Sequence, residues 1–151
     1  MEINPSQARH LIPWFVIKKG DKLRLITDCR EINTFLEPKP FKLENWQEIF
    51  PFLRKGMWAA KIDLKHAYFH LGIAEPLRQY ICIHVEDKVF QFQGACFGMS
   101  TLPQLWQSVM KTFLRKWRSQ GLQCLVYLDD ILLVGNSPQM VQKQLKKCWT
   151  T

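Results

Sequence analysis

Apolar residues recur along this chain with two different periods, and the switches between them mark out the elements. Two short apolar runs, Trp14 to Ile17 and Leu23 to Ile26, flank Lys19-Gly20-Asp21, a turn signal, and predict a β-hairpin. Ile81, Ile83 and Val85 alternate along one strand, Glu86-Asp87-Lys88 makes a turn, and Val89 to Phe92 returns as a second hairpin. Between the two, Ala60 to Leu64 reads as a strand that runs into a turn or short helix carrying Ala67, Tyr68 and Phe69. The prolines of EPKPFKLENW impose irregular backbone. ENWQEIFPFLRKG predicts a short helix closing near Gly56, kinked or split at Pro51.

From Thr101 the period turns helical. Leu102, Leu105, Trp106, Val109, Met110, Phe113, Leu114 and Trp117 form one continuous stripe, and Gly121 is a natural stop. Lys111, Arg115, Lys116 and Arg118 fall on the opposite face, which reads as solvated rather than as a nucleic-acid contact. Leu122 to Gly135 then reads as strand, tight turn, strand, and another helix starts at Pro138 or Gln139. There is no internal repeat and no low-complexity linker. Interspersed strands and helices without regular βα alternation point to an α+β fold with a largely antiparallel sheet packed on helices.

The apolar run Leu122 to Gly135 is interrupted at its centre by Asp129 and Asp130. Adjacent carboxylates repel, and burying one without a partner is costly. Such a pair in a hairpin turn also serves simply to cap backbone groups toward water, and on this stretch alone the two readings stand level. A third acid, Asp63, ends the strand Ala60 to Leu64 in the same pattern of apolar residues running into a carboxylate. If the two strands are neighbours, Asp63 and the pair converge at the edge of the sheet. Oxygen-only ligands suit Mg²⁺, and two such ions activate an attacking hydroxyl and stabilise a leaving oxygen in phosphoryl transfer.

Charge strengthens that reading. The 151 residues include 21 Lys and Arg against 13 Asp and Glu, a net charge of +8, which favours nucleic acid over a membrane as partner. The five cysteines contain no CxxC pair and read as small core residues, so zinc and a disulfide framework are not expected. With no signal peptide and no apolar run near the roughly 20 residues of a membrane helix, an intracellular location, cytoplasmic or nuclear, is expected. The four histidines have no spacing that argues for a site, and the six tryptophans read mostly as core anchors.

Tyr127 to Asp130, YLDD, resembles the Tyr-x-Asp-Asp box of reverse transcriptases. KIDLKHAYFHLGI is similar to that family's first catalytic motif, FGMSTLPQLWQ to the motif before the palm helix, and FVIKKGDKLRLITDCREIN to the fingers hairpin with its Asp-x-Arg-x-x-Asn end. These motifs stand in the family's order and cover Trp14 to Val134; the wording around them looks nearer to retrotransposons, of the tyrosine-recombinase type, than to retroviruses. The resemblance implies a fingers region at about 1–56 and 70–100, a palm at about 57–69 and 101–151, and no thumb or RNase H domain.

It also implies roles. Asp63 and Asp129 would ligate two Mg²⁺ ions, with Mn²⁺ a possible substitute, and Asp130, close by and needed for the site's charge, would complete the catalytic and metal-binding set. Tyr68 would lie under the incoming sugar and exclude a 2′-hydroxyl. Arg24 and Lys19, rather than Lys18, would grip the triphosphate. Phe97 and Gly98 would lie under the nucleotide and template base, and Gln107 and Tyr127 would face template and primer. The expected partners are deoxynucleoside triphosphates, an RNA or DNA template with its primer, and the remainder of a polyprotein or a dimer partner. His66 stands where the family usually has aspartate, Ala95 to Gly98 replace Leu-Pro-aromatic-or-Gln-Gly, and Leu102 replaces a small residue.

RNA-directed DNA polymerisation is thus the expected activity, the chain being a fragment of a retroelement polyprotein, a spliced product or a decaying copy. The other readings are a non-catalytic remnant that binds nucleic acid, and an RNA-directed RNA polymerase. Tyr68→Ala should admit ribonucleotides under the first and change little under the last. A palm lacking its final strands should expose apolar surface and dissolve poorly without a partner.

Overall fold

In the computed structural model, residues 1–43, 47 and 50–149 are described. They divide into two compact units, Met1–Lys39 with His66–Leu102, and Pro40–Lys65 with Pro103–Thr151.

The first unit contains two antiparallel arrangements. One is the hairpin of β2 (Trp14–Lys19) and β3 (Lys22–Thr27), closed through Gly20 at φ 62°. The other is a three-stranded sheet in which β6 (Lys88–Gln91) lies between β1 (Glu2–Ile3) and β5 (Cys82–Val85). Ile12, Ile73, Ile81, Ile83, Ala95 and Leu102 form its core, with Trp14, Leu71, Phe90 and Phe92 packed against them. The Trp14 indole donates to the His84 carbonyl at 2.7 Å and so ties the hairpin to the sheet. Two four-residue helices that the pattern did not announce, α1 (Arg30–Asn33) and α2 (Glu75–Arg78), are too short to display a helical period.

The second unit is built on a sheet of three antiparallel strands, with β8 (Asp130–Gly135) between β4 (Trp58–Asp63) and β7 (Cys124–Tyr127). Residues paired across an antiparallel ladder share a face. One face therefore carries the rows Ile62–Ile131–Val126 and Ala60–Leu133–Cys124, all apolar. The other carries Asp63–Asp130–Tyr127 at one end, then Lys61–Leu132–Leu125 and Ala59–Val134. Leu125 and Val134 are buried there with Met57 and Leu132 against them. Among the described residues the strands form three separate antiparallel sheets, and the Leu128-Asp129 turn lies at the end of the central strand β8.

Helix α3 (Leu102–Ser119) buries Leu102, Trp106, Met110, Leu114 and Trp117. Leu105, Val109 and Phe113 are 38–49% exposed, so the continuous stripe expected from the sequence is a buried row with an open flank. Gly121 at φ 80° ends the helix as expected, with its N–H on the Arg118 carbonyl and that of Leu122 on Trp117. Lys111, Arg115 and Lys116 are exposed, while Arg118 turns its guanidinium back to the Cys124 carbonyl at 2.8 Å. Ser137 caps α4 (Pro138–Trp149) through the Met140 N–H. Helix α4 lies so close to the sheet at Gly135 that a Cβ there would meet Val141, Met140 and Gln144 within 3.1–3.3 Å. Of the helix expected around Glu44 to Gly56, residues 44–46 and 48–49 lie outside the described residues, and Phe50–Phe52 form a 3-10 turn.

No helix among the described residues is long and apolar enough to cross a membrane. Among the described residues no disulfide joins the five cysteines.

Candidate active site

The register of β4 on β8 decides where the carboxylates stand. Asp63 is paired directly with Asp130, so two acids face each other across one rung. Asp129 sits in the two-residue turn that joins β7 to β8, exposed beside that rung. The turn is held from both sides: the Leu64 N–H donates to the Asp129 carbonyl at 2.9 Å, and the Trp106 indole N–H to the Leu128 carbonyl at 2.8 Å. Leu128, the first central residue of the turn, adopts φ 53°, as primed hairpin turns require. Tyr127, paired with Asp130, completes the row on the same face.

A cation already occupies part of this site. Lys61, one rung away and on the same face as Asp63, reaches diagonally across the ladder, and its Nζ lies 2.9 Å from Asp130 Oδ2. Its pKa is raised, first by that hydrogen bond and then by the charges of Asp130, Asp63 and Asp129, against the opposing effect of desolvation. Lys61 was not singled out from the sequence, although its place two residues before Asp63 puts both on one strand face. Nor were Trp106 and Leu128, whose part depends on where the hairpin turn lands. The oxygen donors fit a hard divalent cation, and the lysine shows that the site draws positive charge. Among the described residues, however, no group of three or more acidic, histidine or cysteine side chains is gathered so as to hold an ion.

Tyr68, Phe97 and Gly98 come together in the first unit. The rings of Tyr68 and Phe97 are 5.1 Å apart, and Phe69 stands edge-on to Phe97 at 5.6 Å. The segment Phe97–Ser100 rests on the end of β3 and on α1: Thr27 Oγ1 donates to the Phe97 carbonyl, and the Asn33 amide donates to the Gly98 carbonyl and accepts from the Ser100 N–H. Gly98, at φ 107°, is so close that a Cβ would meet the Thr27 carbonyl at 3.0 Å. Asp28 pairs with Arg30 at 2.6 Å, which holds its carboxyl below the usual range. Asn33, the last residue of the Asp-x-Arg-x-x-Asn segment, thus supports the Phe97-Gly98 turn together with Thr27. Beneath it Cys29 and Cys96 bring their sulfurs to 3.7 Å; their hydrogen bond, with burial, pushes the Cys96 thiol up.

The hairpin register bears on the choice of lysine. Ile17 pairs with Arg24 and Lys19 with Lys22, which places Lys19, Lys22 and Arg24 on one face, while Lys18 pairs with Leu23 on the other. All four cations are exposed. Gln107 is 1% exposed, and its amide finds no hydrogen-bond partner among the described residues.

Residues 16–151 match the family model of the reverse transcriptases (RNA-dependent DNA polymerases). The chain belongs to this family. As a reverse transcriptase domain it is 32% identical over 140 residues to the genome polyprotein of Petunia vein clearing virus (isolate Shepherd), covering 89% of this chain and 6% of that polyprotein. It is 26% identical over 145 residues to the transposon Tf2-3 polyprotein of Schizosaccharomyces pombe, covering 95% of this chain and 11% of the other. This reverse transcriptase chain therefore spans about a tenth or less of the length of these relatives. Its fold matches the protease-reverse transcriptase of prototype foamy virus with a TM-score of 0.81 at 19% identity, over 97% of this chain and 19% of that one. A foamy viral protease-reverse transcriptase in complex with an RNA/DNA hybrid matches at 0.78 and 20% identity, over 95% of this chain and 19% of the other.

Proposed function

We propose that the chain is the fingers-and-palm part of a retroelement RNA-directed DNA polymerase, extending a primer 3′-hydroxyl with deoxynucleoside triphosphates on an RNA or DNA template. The observation that carries this is the rung in which Asp63 opposes Asp130 beside the turn that presents Asp129. The Pro40–Lys65 and Pro103–Thr151 unit would be the palm and the other unit the fingers.

Asp63 and Asp129 offer the oxygens that would hold two Mg²⁺ ions. Such ions, when bound, activate the attacking hydroxyl and neutralise charge on the leaving phosphate. The chain's own residues do the rest. Trp106 and the Leu64 N–H fix the turn, so that the Asp129 carboxylate stays at the rung. Arg24 and Lys19, on one face of the hairpin, bind the triphosphate, the guanidinium as a fork and the ammonium as a point charge. The Tyr68 ring, braced by Phe97, excludes a 2′-hydroxyl, and Gly98 lets the backbone approach the base. Tyr127, about a third exposed, faces primer and template. Gln107 reaches them only where its buried amide is uncovered. The location we propose is cytoplasmic or nuclear.

Single-nucleotide extension of a DNA primer on an RNA template, with Mg²⁺ or Mn²⁺, tests the reading. Extension should occur and fall at least about a hundredfold in Asp129→Asn, the loss of a group that stabilises transition-state charge. Template-primer binding in the same samples should be unchanged. Binding without extension in the unmodified chain would instead support a remnant that retains only its affinity for nucleic acid.

A further inference from the structure

We infer that Lys61 is a built-in counter-cation of the carboxylate site, holding Asp130 to the protein and competing with divalent ions for it. The inference rests on the polymerase reading above, and concerns how the site is charged before metal arrives.

The geometry is specific. Lys61 lies two residues before Asp63, so both side chains leave the same face of β4. Its rung partner is Leu132, which offers no charge, and its Nζ instead crosses the ladder to Asp130 Oδ2 at 2.9 Å. Neither partner is locked in by burial, the side chains being 62% and 34% exposed, so the bond can open when a stronger cation competes. As an exposed pair it adds little to stability, about 1 kcal/mol or less. Its effect is on the site's charge. Asp63, Asp129 and Asp130 with one ammonium leave two net negative charges, the amount that a single divalent ion balances. Lys61 thereby divides the acids into a pair left for metal, Asp63 and Asp129, and a third kept by the protein until displaced.

Mn²⁺ binding to the whole chain, followed by electron paramagnetic resonance of the free ion, tests this without reference to turnover. Lys61→Met keeps the aliphatic stem and removes the charge. It should tighten Mn²⁺ binding about fivefold, as expected for one charge removed a few ångströms away in a largely solvated setting. Lys61→Arg, which keeps the charge, should stay within about twofold of the unmodified chain on the same grounds. Asp130→Asn should weaken binding only slightly by itself but about tenfold in the Lys61→Met background, the coupling expected of two groups that contend for one partner. Circular dichroism checks each fold, and Lys61→Gln replaces Lys61→Met if that variant does not fold. Equal affinity in Lys61→Met and the unmodified chain, with binding lost in Asp63→Asn, overturns the inference and leaves the carboxylate site standing. No Mn²⁺ binding in any of these proteins overturns the inference and the metal-site reading together.

Discussion

Leu128 sits at φ 53°, in left-handed backbone that costs an ordinary L-residue roughly 1–2 kcal/mol and a β-branched one more. The strain falls between Tyr127 and Asp129, where the turn must aim a carboxylate. Leu128→Val should therefore destabilise the chain by more than about 1 kcal/mol, while Leu128→Gly, free of the Cβ contact, should cost clearly less. Urea unfolding of the two variants checks the order; a reversed order would mean that packing of the leucine outweighs its backbone. The acids themselves were readable from the sequence, because a charge that ends an apolar run is conspicuous in a strand. Lys61 was not, because a lysine alternating with apolar residues also describes any solvated strand face. Only the ladder shows that its neighbour across the rung is uncharged and its diagonal neighbour is Asp130.

At the scale of elements, the sheet of the second unit is fastened to α4 by a buried amide. Gln144 is 5% exposed; it donates to the Val134 carbonyl at 2.9 Å and accepts from the Gln123 N–H at 3.2 Å, joining the two strands that carry the turn. Gln144→Leu would strand the buried Val134 carbonyl and should cost about 1–3 kcal/mol, while the N–H of the exposed Gln123 can turn to water. Denaturant unfolding measures it, and a loss below about 0.5 kcal/mol would show that water replaces the amide at no penalty. Hairpins β2–β3, β5–β6 and β7–β8 were legible, since each has its turn residues between alternating or apolar runs. The helix α3 was legible in length but not in its buried face: eight apolar positions suggested one stripe, and the structure buries the Leu102–Trp106–Met110 row while leaving Leu105 and Val109 open. Periodicity gives the angle of a side chain around the helix, but not how far the neighbouring layer extends.

At the scale of the whole molecule, the net charge of +8 includes four exposed cations on one hairpin, Lys18, Lys19, Lys22 and Arg24. Affinity for an RNA/DNA hybrid should fall steeply with salt, with a log–log slope of about −3 or steeper if three or more phosphates are contacted. A flat profile between low and physiological salt would take the net charge of +8 out of the account of binding. The division into three sheets was not legible, because β1 and β6 pair across more than eighty residues, and no local pattern reports so distant a partner. Because the ladder between β4 and β8 fixes the face of every side chain, the coding sequence is unequally tolerant of small deletions. Loss of the single codon for Ile62 forces either Asp63 off the rung or Lys61 into the apolar face, since a one-residue slip inverts every side chain of a strand. Loss of the two codons for Ala59 and Ala60 inverts nothing and shortens the strand at its far end. A copy of this sequence can therefore keep all three carboxylates and still lose their register through three nucleotides, while the loss of six leaves that register in place.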